Sequence, residues 1–301
     1  MPATGATFRV LARMTGRLYR DLPRAGVLCL ALALTFDAAA GSWRFAAPQQ
    51  RLFRPLLADP TEARLAVTTN FNNRLNGNIG ASWEAADYTW DAAGLLRFRT
   101  GIHAGVFSKL RWSGTTFPLE TVDYLVGFHA DLGNDGLTGR FDGMTGRFEY
   151  AHVSAHLADG YDGPERAFTY SREYFTLYGS YVREARRGTL IGSVRIYGSF
   201  RWSNHAIPDV RRWRVQAGAE LVSGPLAGTG GATRAYIAGD LRVFRDGDVA
   251  INRTGQAGLL FHNEANRGLR IALVYHGGRS EHGQFHHLED NYGGVGLFFD
   301  L

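Results

Sequence analysis

His152 and Ser154 stand two residues apart in this sequence, and Glu173 lies on the next patterned segment. A serine hydroxyl becomes a nucleophile when an imidazole within hydrogen-bond reach takes its proton and a third group orients that imidazole. Side chains two apart in an extended chain share a face, so the His-x-Ser spacing sets nucleophile and base side by side. Phe148 and Tyr150 occupy the same face, and Glu173 shares its own face with Phe175, Leu177 and Tyr181. A hairpin turning near residue 163 brings Glu173 roughly level with His152. The roles to test are Ser154 as nucleophile, His152 as base and Glu173 as orienter, acting on acyl esters. Against this, polar groups on an apolar face cost free energy, whereas at a wet strand end a His and a Ser merely hydrogen-bond their neighbours. His282, His286 and His287 with Glu281, Glu289 and Asp290 are residue types that ligate divalent metals. Their clustering reads as a solvated loop, and no metal or other cofactor is expected. The Gly residues fall within runs and turns, not in the strand–loop–helix setting of a phosphate loop.

The elements that must position these residues are strands. Around residues 190–200, Leu190, Val194, Ile196 and Phe200 alternate with Ser193, Arg195, Tyr197 and Ser199. Trp213, Val215, Ala217, Ala219 and Leu221 alternate with Arg214, Gln216 and Glu220 in the same way, and Phe98, Ile102 and Ala104 with Arg97, Arg99 and His103. Ile237, Leu241 and Val243 alternate with Asp240 and Arg242. Each segment thus has one apolar and one polar face. Turn pairs such as Asn76-Gly77, Asp246-Gly247 and Gly277-Gly278 punctuate the runs. The pattern predicts twelve strands near 64–71, 77–86, 95–107, 120–131, 140–155, 171–182, 189–201, 212–222, 233–245, 251–262, 269–277 and 291–301. Most are longer than the five or six residues usual in soluble sheets, and they match the roughly 9–11 needed to cross a bilayer at a tilt.

Period two alone does not say which face is inside. Twelve long strands exceed what a small filled soluble barrel uses, and the polar face carries both signs of charge. Aromatics near strand ends (Trp83, Trp112, Tyr181, Trp202, Trp213) suit an interfacial girdle. The expectation is an all-β protein, a single antiparallel transmembrane β-barrel of about twelve strands over residues 64–301. Its lumen is expected to be lined by Arg97, Arg99, Arg195, Arg214, Glu220, Asp240 and Arg242. An even strand count puts both ends on the periplasmic side, which assigns 108–119, 156–170, 202–211 and 278–290 to outer loops and 183–188 and 263–268 to shorter inner turns. The Gly-rich stretch 223–232 is long for a tight inner turn.

The chain has 301 residues, 38 Gly, 9 Pro and one Cys. That composition excludes collagen and a disulfide scaffold. The longest apolar run, near residues 25–34, is far short of the roughly 18 residues of a membrane helix. It is instead preceded by Arg9, Arg13, Arg17, Arg20 and Arg24 and followed by Ala38-Ala39-Ala40, the layout of a secretory signal peptide. Residues 1–40 are therefore expected to be a cleaved signal peptide, and 41–63 a periplasmic N-terminal arm. Cleavage would discard the only Cys with five Arg and two Asp, taking the net charge from +5 to +2. A nucleic-acid partner then loses its support, and the expected localisation is the bacterial outer membrane, among its lipids.

Two boxes carry a resemblance. Leu52-Phe53-Arg54-Pro55-Leu56-Leu57-Ala58-Asp59-Pro60 precedes the first strand, and Tyr150-Ala151-His152-Val153-Ser154 runs on to Asp159-Gly160-Tyr161 and then Tyr170-Ser171-Arg172-Glu173. Together they resemble an uncharacterised bacterial family known as domain of unknown function 1207, over about residues 45–301. The resemblance implies an exported outer-membrane barrel and no assigned reaction. The first box is an extended arm, since its prolines prevent regular pairing at their own positions. It either caps the barrel mouth from the periplasm or forms a short plug or docking segment. The C-terminal Gly296, Phe299 and Leu301 resemble the terminal signal read by the outer-membrane barrel assembly machinery, although the usual last residue is Phe or Trp. The His-x-Ser spacing resembles that of outer-membrane phospholipase A and lipid A deacylases, but Ala155 stands where the phospholipase has Asn. The sequence thus favours a narrow channel or envelope component with a polar, Arg-rich lumen over a lipid acyl-ester hydrolase. A surface-exposed binding protein using loops 156–170 and 278–290 is the third reading.

Overall fold

A computed structural model describes residues 42–45, 51–90, 96–134, 143–185, 189–229, 232–262 and 268–300. The expected signal peptide and the terminal Leu301 lie outside the described residues.

The strands are β1 (Ser42–Arg44), β2 (Leu65–Asn70), β3 (Arg74–Thr89), β4 (Leu96–Arg111), β5 (Leu119–Asn134), β6 (Met144–Leu157) and β7 (Tyr170–Glu184). They continue with β8 (Ile191–Ile207), β9 (Trp213–Ser223), β10 (Thr233–Asp246), β11 (Asp248–His262), β12 (Gly268–Gly277) and β13 (Tyr292–Asp300). From β2 to β13 each strand pairs antiparallel with the next, and β13 returns to β2, closing a twelve-stranded barrel. The alternation predicted this architecture, and each predicted segment is a strand. The short β1 was not predicted; it adds to β3 at residues 87–89, with Trp43 tilted against Tyr88 at 4.9 Å.

Several strands outrun their predicted ends. β4 continues to Arg111 and β8 to Ile207, so the connections there shrink to 112–118 and 208–212. Inward polar residues keep the alternation going past the apolar run that marked each strand. β10 and β11 turn on the single residue Gly247, whose φ of 76° lies in the left-handed region open to glycine. β2 begins and β13 finishes at one end of the barrel, the near end, and the connection between β12 and β13 lies at the opposite, far end.

The two faces of the wall differ sharply. On β8, Ser193, Arg195, Tyr197 and Ser199 are buried, while Ile196 is 54% exposed between them. Ile102, Val126, Leu177, Ile237 and Leu273 are similarly exposed on their own strands. Arg99, His129, Asp131, Gln216, Arg242 and Arg270 are all but fully buried. A barrel dissolved in water would bury the opposite set, because apolar area is what gains by leaving water.

Candidate functional site

Residues 51–64 run inside the barrel. Phe53, Leu56, Ala58 and Asp59 are buried, although no strand includes them. The two prolines, Pro55 and Pro60, keep the segment extended and out of the sheet, so its backbone polar groups need other partners. The wall supplies them. Arg195 donates to the carbonyls of Arg54 (2.8 Å) and Pro55 (3.0 Å), and Glu220 accepts from the Leu57 amide at 2.7 Å. Arg64 reaches back to the carbonyls of Leu56 and Leu57. Phe53 lies between the guanidinium groups of Arg147 and Arg195, 4.8 and 5.0 Å from its ring centre, where cation–π attraction adds to its burial.

Asp59 is the arm's electrostatic anchor. Its carboxylate accepts from Arg242, from Gln216 at 2.9 Å, and from both the amide and hydroxyl of Thr61. Burial pushes this carboxyl up, but the Arg242 and Arg214 charges and these donors reverse the effect and hold it well below the usual carboxylate range. Arg242 also pairs with Asp240 at 2.9 Å and with Glu281 at 3.0 Å. Asp240 in turn accepts from the Tyr197 hydroxyl and from Gln216. Buried charges are tolerable only when paired and hydrogen-bonded, and this network meets that condition.

The far end is closed by the connection between β12 and β13, which holds the short 3-10 helix η1 (Gly283–Phe285). Sequence reading took this histidine-rich stretch for a solvated loop; in the structure residues 282–286 are buried. The Gly283 amide donates to Asp123 at 2.7 Å, and Gln284 donates to the carbonyls of Ala155 and Phe168. His286 meets Asp246 at 3.1 Å, and Arg211 donates to the carbonyls of Ser280 and His286. Burial raises the Glu281 carboxyl, but Arg242 and Arg214 outweigh it and bring it down to about 2. His287 and Glu289 stay exposed, so the histidines do not converge on one point. This connection folds inward as a cap and does not project as a free binding loop.

Between arm and cap lies a cavity of about 170 Å³. Asp59 and Arg64 border it on the arm side, Glu281 and His282 on the cap side, and Phe107, Leu125, Val153, Arg172, Arg201 and Arg214 on the wall.

Of the residues expected to face the lumen, Arg99, Arg195, Arg214, Glu220, Asp240 and Arg242 are buried on the inner face. Arg97 is partly buried there and pairs with Asp87, as does Arg99 at 3.2 Å. Arg195 faces Glu220 at 3.5 Å. His152, Ser154 and Glu173 sit on the outer face. His152 and Glu173 are cross-strand partners on β6 and β7, with Nδ1 and Oε1 3.8 Å apart and both side chains about 40% exposed. Ser154 is paired with Ser171, two positions further along, and among the described residues no hydrogen bond joins it to His152. His152 and Glu173 are thus neighbours beyond hydrogen-bond distance, and Glu173 accepts from the Tyr150 hydroxyl at 3.3 Å. On β13, Gly296 takes the inner face and the half-exposed Phe299 the outer one.

Sequence reading missed one interior cluster: Glu84, His129 and Asp131 present ligand atoms within 4.8 Å of one another. His129 and Glu84 already share a hydrogen bond of 3.1 Å, and Asp131 is gripped by both Nε and Nη2 of Arg147 at 2.7 and 2.8 Å. Both oxygens of Asp131 are thus held by Arg147, whereas Glu84 Oε1 and His129 Nδ1 are buried without a hydrogen-bond partner. The missed signal was the His129-x-Asp131 spacing on β5, which reads as ordinary inward polarity.

The family described as Protein of unknown function (DUF1207) matches residues 36–301, nearly the whole chain. No curated protein matches it.

Proposed function

The chain belongs to the DUF1207 family, and for it we propose an outer-membrane β-barrel of the bacterial envelope whose lumen is held shut by its own N-terminal arm. The observation that carries this reading is the inversion of polarity, with exposed aliphatic residues around the wall and paired charges within. Lipid is the medium that such an outside fits, since a continuous apolar band of this extent is rare on soluble monomers. The near end, with the arm's entry, faces the periplasm, and the cap faces outward. The outward face then contacts outer-membrane lipids, and β13 presents Gly296 and Phe299 to the assembly machinery. The polar lumen could serve a narrow channel, but the arm and cap occupy it, so the resting protein is closed.

Planar-bilayer recording tests the closure. The full chain is expected to insert without steady conductance, and deletion of residues 51–61 to give discrete openings. Steady conductance by the unaltered chain would overturn the reading. A second reading, a lipid acyl-ester hydrolase, draws support from the outward His152–Glu173 pair. Acyl release from proteoliposomes that is lost in Ser154→Ala would support it; no release by the wild type sinks it.

A further inference from the structure

Most interior arginines are matched to carboxylates: Arg242 to Asp59, Arg201 to Glu149, Arg211 to Asp246 and Arg147 to Asp131. Three that border the cavity are not: Arg64, which spends Nη1 and Nη2 on the carbonyls of Leu57 and Leu56, and then Arg214 and Arg172. Arg214 is 8% exposed, makes no hydrogen bond or ion pair among the described residues, and leaves Nε and Nη2 buried without a partner. Arg172 is 6% exposed; it spends Nη1 on the Arg211 carbonyl at 3.0 Å, and its Nε and Nη2 are likewise unpartnered. A buried cation left unpaired is destabilising, and an unmade hydrogen bond in a dry site adds to that cost. Nearby carboxylates attract Arg214 from a distance without pairing with it. Asp59 and Glu281 are committed to Arg242, and Asp290 to Lys109 at 2.6 Å.

The cavity supplies what those groups lack. Arg172 and Arg214 both line it, together with the apolar Phe107, Leu125, Val153 and Phe244, of which Val153 and Phe244 are the cross-strand partners of the two arginines. The guanidinium fork suits carboxylate and phosphate oxygens in bidentate fashion, and an aromatic–aliphatic wall suits a compact hydrocarbon body. We propose that this cavity is a binding site for a small organic anion, its acid group held by Arg214 and Arg172 and its apolar body against the Phe107–Leu125 side. The inference goes beyond the closed-barrel reading and does not depend on it, because binding can be measured without a membrane.

The test is isothermal titration of the detergent-solubilised full chain with benzoate, and separately with inorganic phosphate at matched ionic strength. One benzoate per chain is expected, with affinity falling at least tenfold in Arg214→Gln and unaltered in Arg166→Gln, which changes an exposed loop arginine. Arg214→Lys keeps the interior charge but not the fork, and is also expected to lose at least tenfold; heat-modifiable migration on a gel reports whether each variant is folded. Failure of the wild type to bind benzoate at millimolar concentration overturns the proposal. So does equal affinity in Arg214→Lys and wild type. Phosphate binding as tightly as benzoate would overturn the assignment of an organic ligand.

Discussion

Asp59→Ala should loosen the arm by an amount that the interior network sets. The substitution removes the carboxylate that Arg242, Gln216 and Thr61 hold, and leaves Arg242 at 1% exposure. Taking one partner from a buried ion pair costs about 3–5 kcal/mol, because the other charge is left uncompensated. Arg242 still has Asp240 at 2.9 Å and Glu281 at 3.0 Å, so the lower end, about 3 kcal/mol, applies. At 1.4 kcal/mol per tenfold, the population with residues 57–61 detached from the wall rises about a hundredfold. Arg242→Ala attacks the same joint from the other side and must cost more, since it strands Asp59, Asp240 and Glu281 together without their cation. At about 5 kcal/mol, opening rises by about 10³ to 10⁴. Hydrogen exchange over peptides 52–64 reads these populations directly, because exchange follows local opening. The Leu57 amide, held by Glu220 in the folded state, is the informative position. Unchanged protection in both variants, or greater opening in Asp59→Ala than in Arg242→Ala, would refute the reasoning.

Further expectations address other parts of the molecule. Leu273→Arg places a charge at the middle of β12, where the leucine is 64% exposed; if that face meets lipid, folding into bilayers weakens by about 2–4 kcal/mol, measured by urea titration in vesicles, whereas an aqueous face would leave stability unaltered. Phe53→Ala removes a ring 1% exposed between two guanidinium groups and should destabilise arm docking by about 3–5 kcal/mol, seen as lost protection over residues 51–56. The Glu281 carboxyl is depressed to about 2 in the folded state, so its stabilisation of the cap is complete above the ordinary carboxylate range near 4.3 and is lost as pH falls toward 2. Exchange over residues 278–290 should therefore stay slow at pH 5 and rise only below about pH 4 in the wild type, while Glu281→Gln is already faster at pH 7.

The barrel was legible because a pleated strand turns each second side chain to the same face, so Arg195 beside Ile196 and Asp240 beside Leu241 betray the wall wherever they recur. Strand ends were less legible, since β4 and β8 are prolonged by hairpin pairing after their apolar residues thin out. The arm's placement depends on partners far off in the chain: Asp59 and Arg242 are 183 positions apart. Its local signal was present all the same, in Phe53 and Leu56 set apolar without alternation on either side of Pro55. The cap was misread for the same reason, because His282 and His286 become buried only against Asp123 and Asp246 of other strands. Arg214 showed no peculiarity in sequence, since the absence of a partner exists only in three dimensions.

The arm runs without interruption into β2, which joins the rest of the wall along residues 294–299 of β13 on one side and 74–78 of β3 on the other. The strand that zips the ring is thus tethered at Leu65 to Arg64, whose guanidinium already grips the arm's own carbonyls. An interior so densely filled leaves no passage for threading fourteen residues through a finished wall. Filling and closure therefore share one covalent junction: the strand that completes the ring begins where the filling segment stops, so a pull on the arm at Arg64 is felt at once by the seam at Leu65.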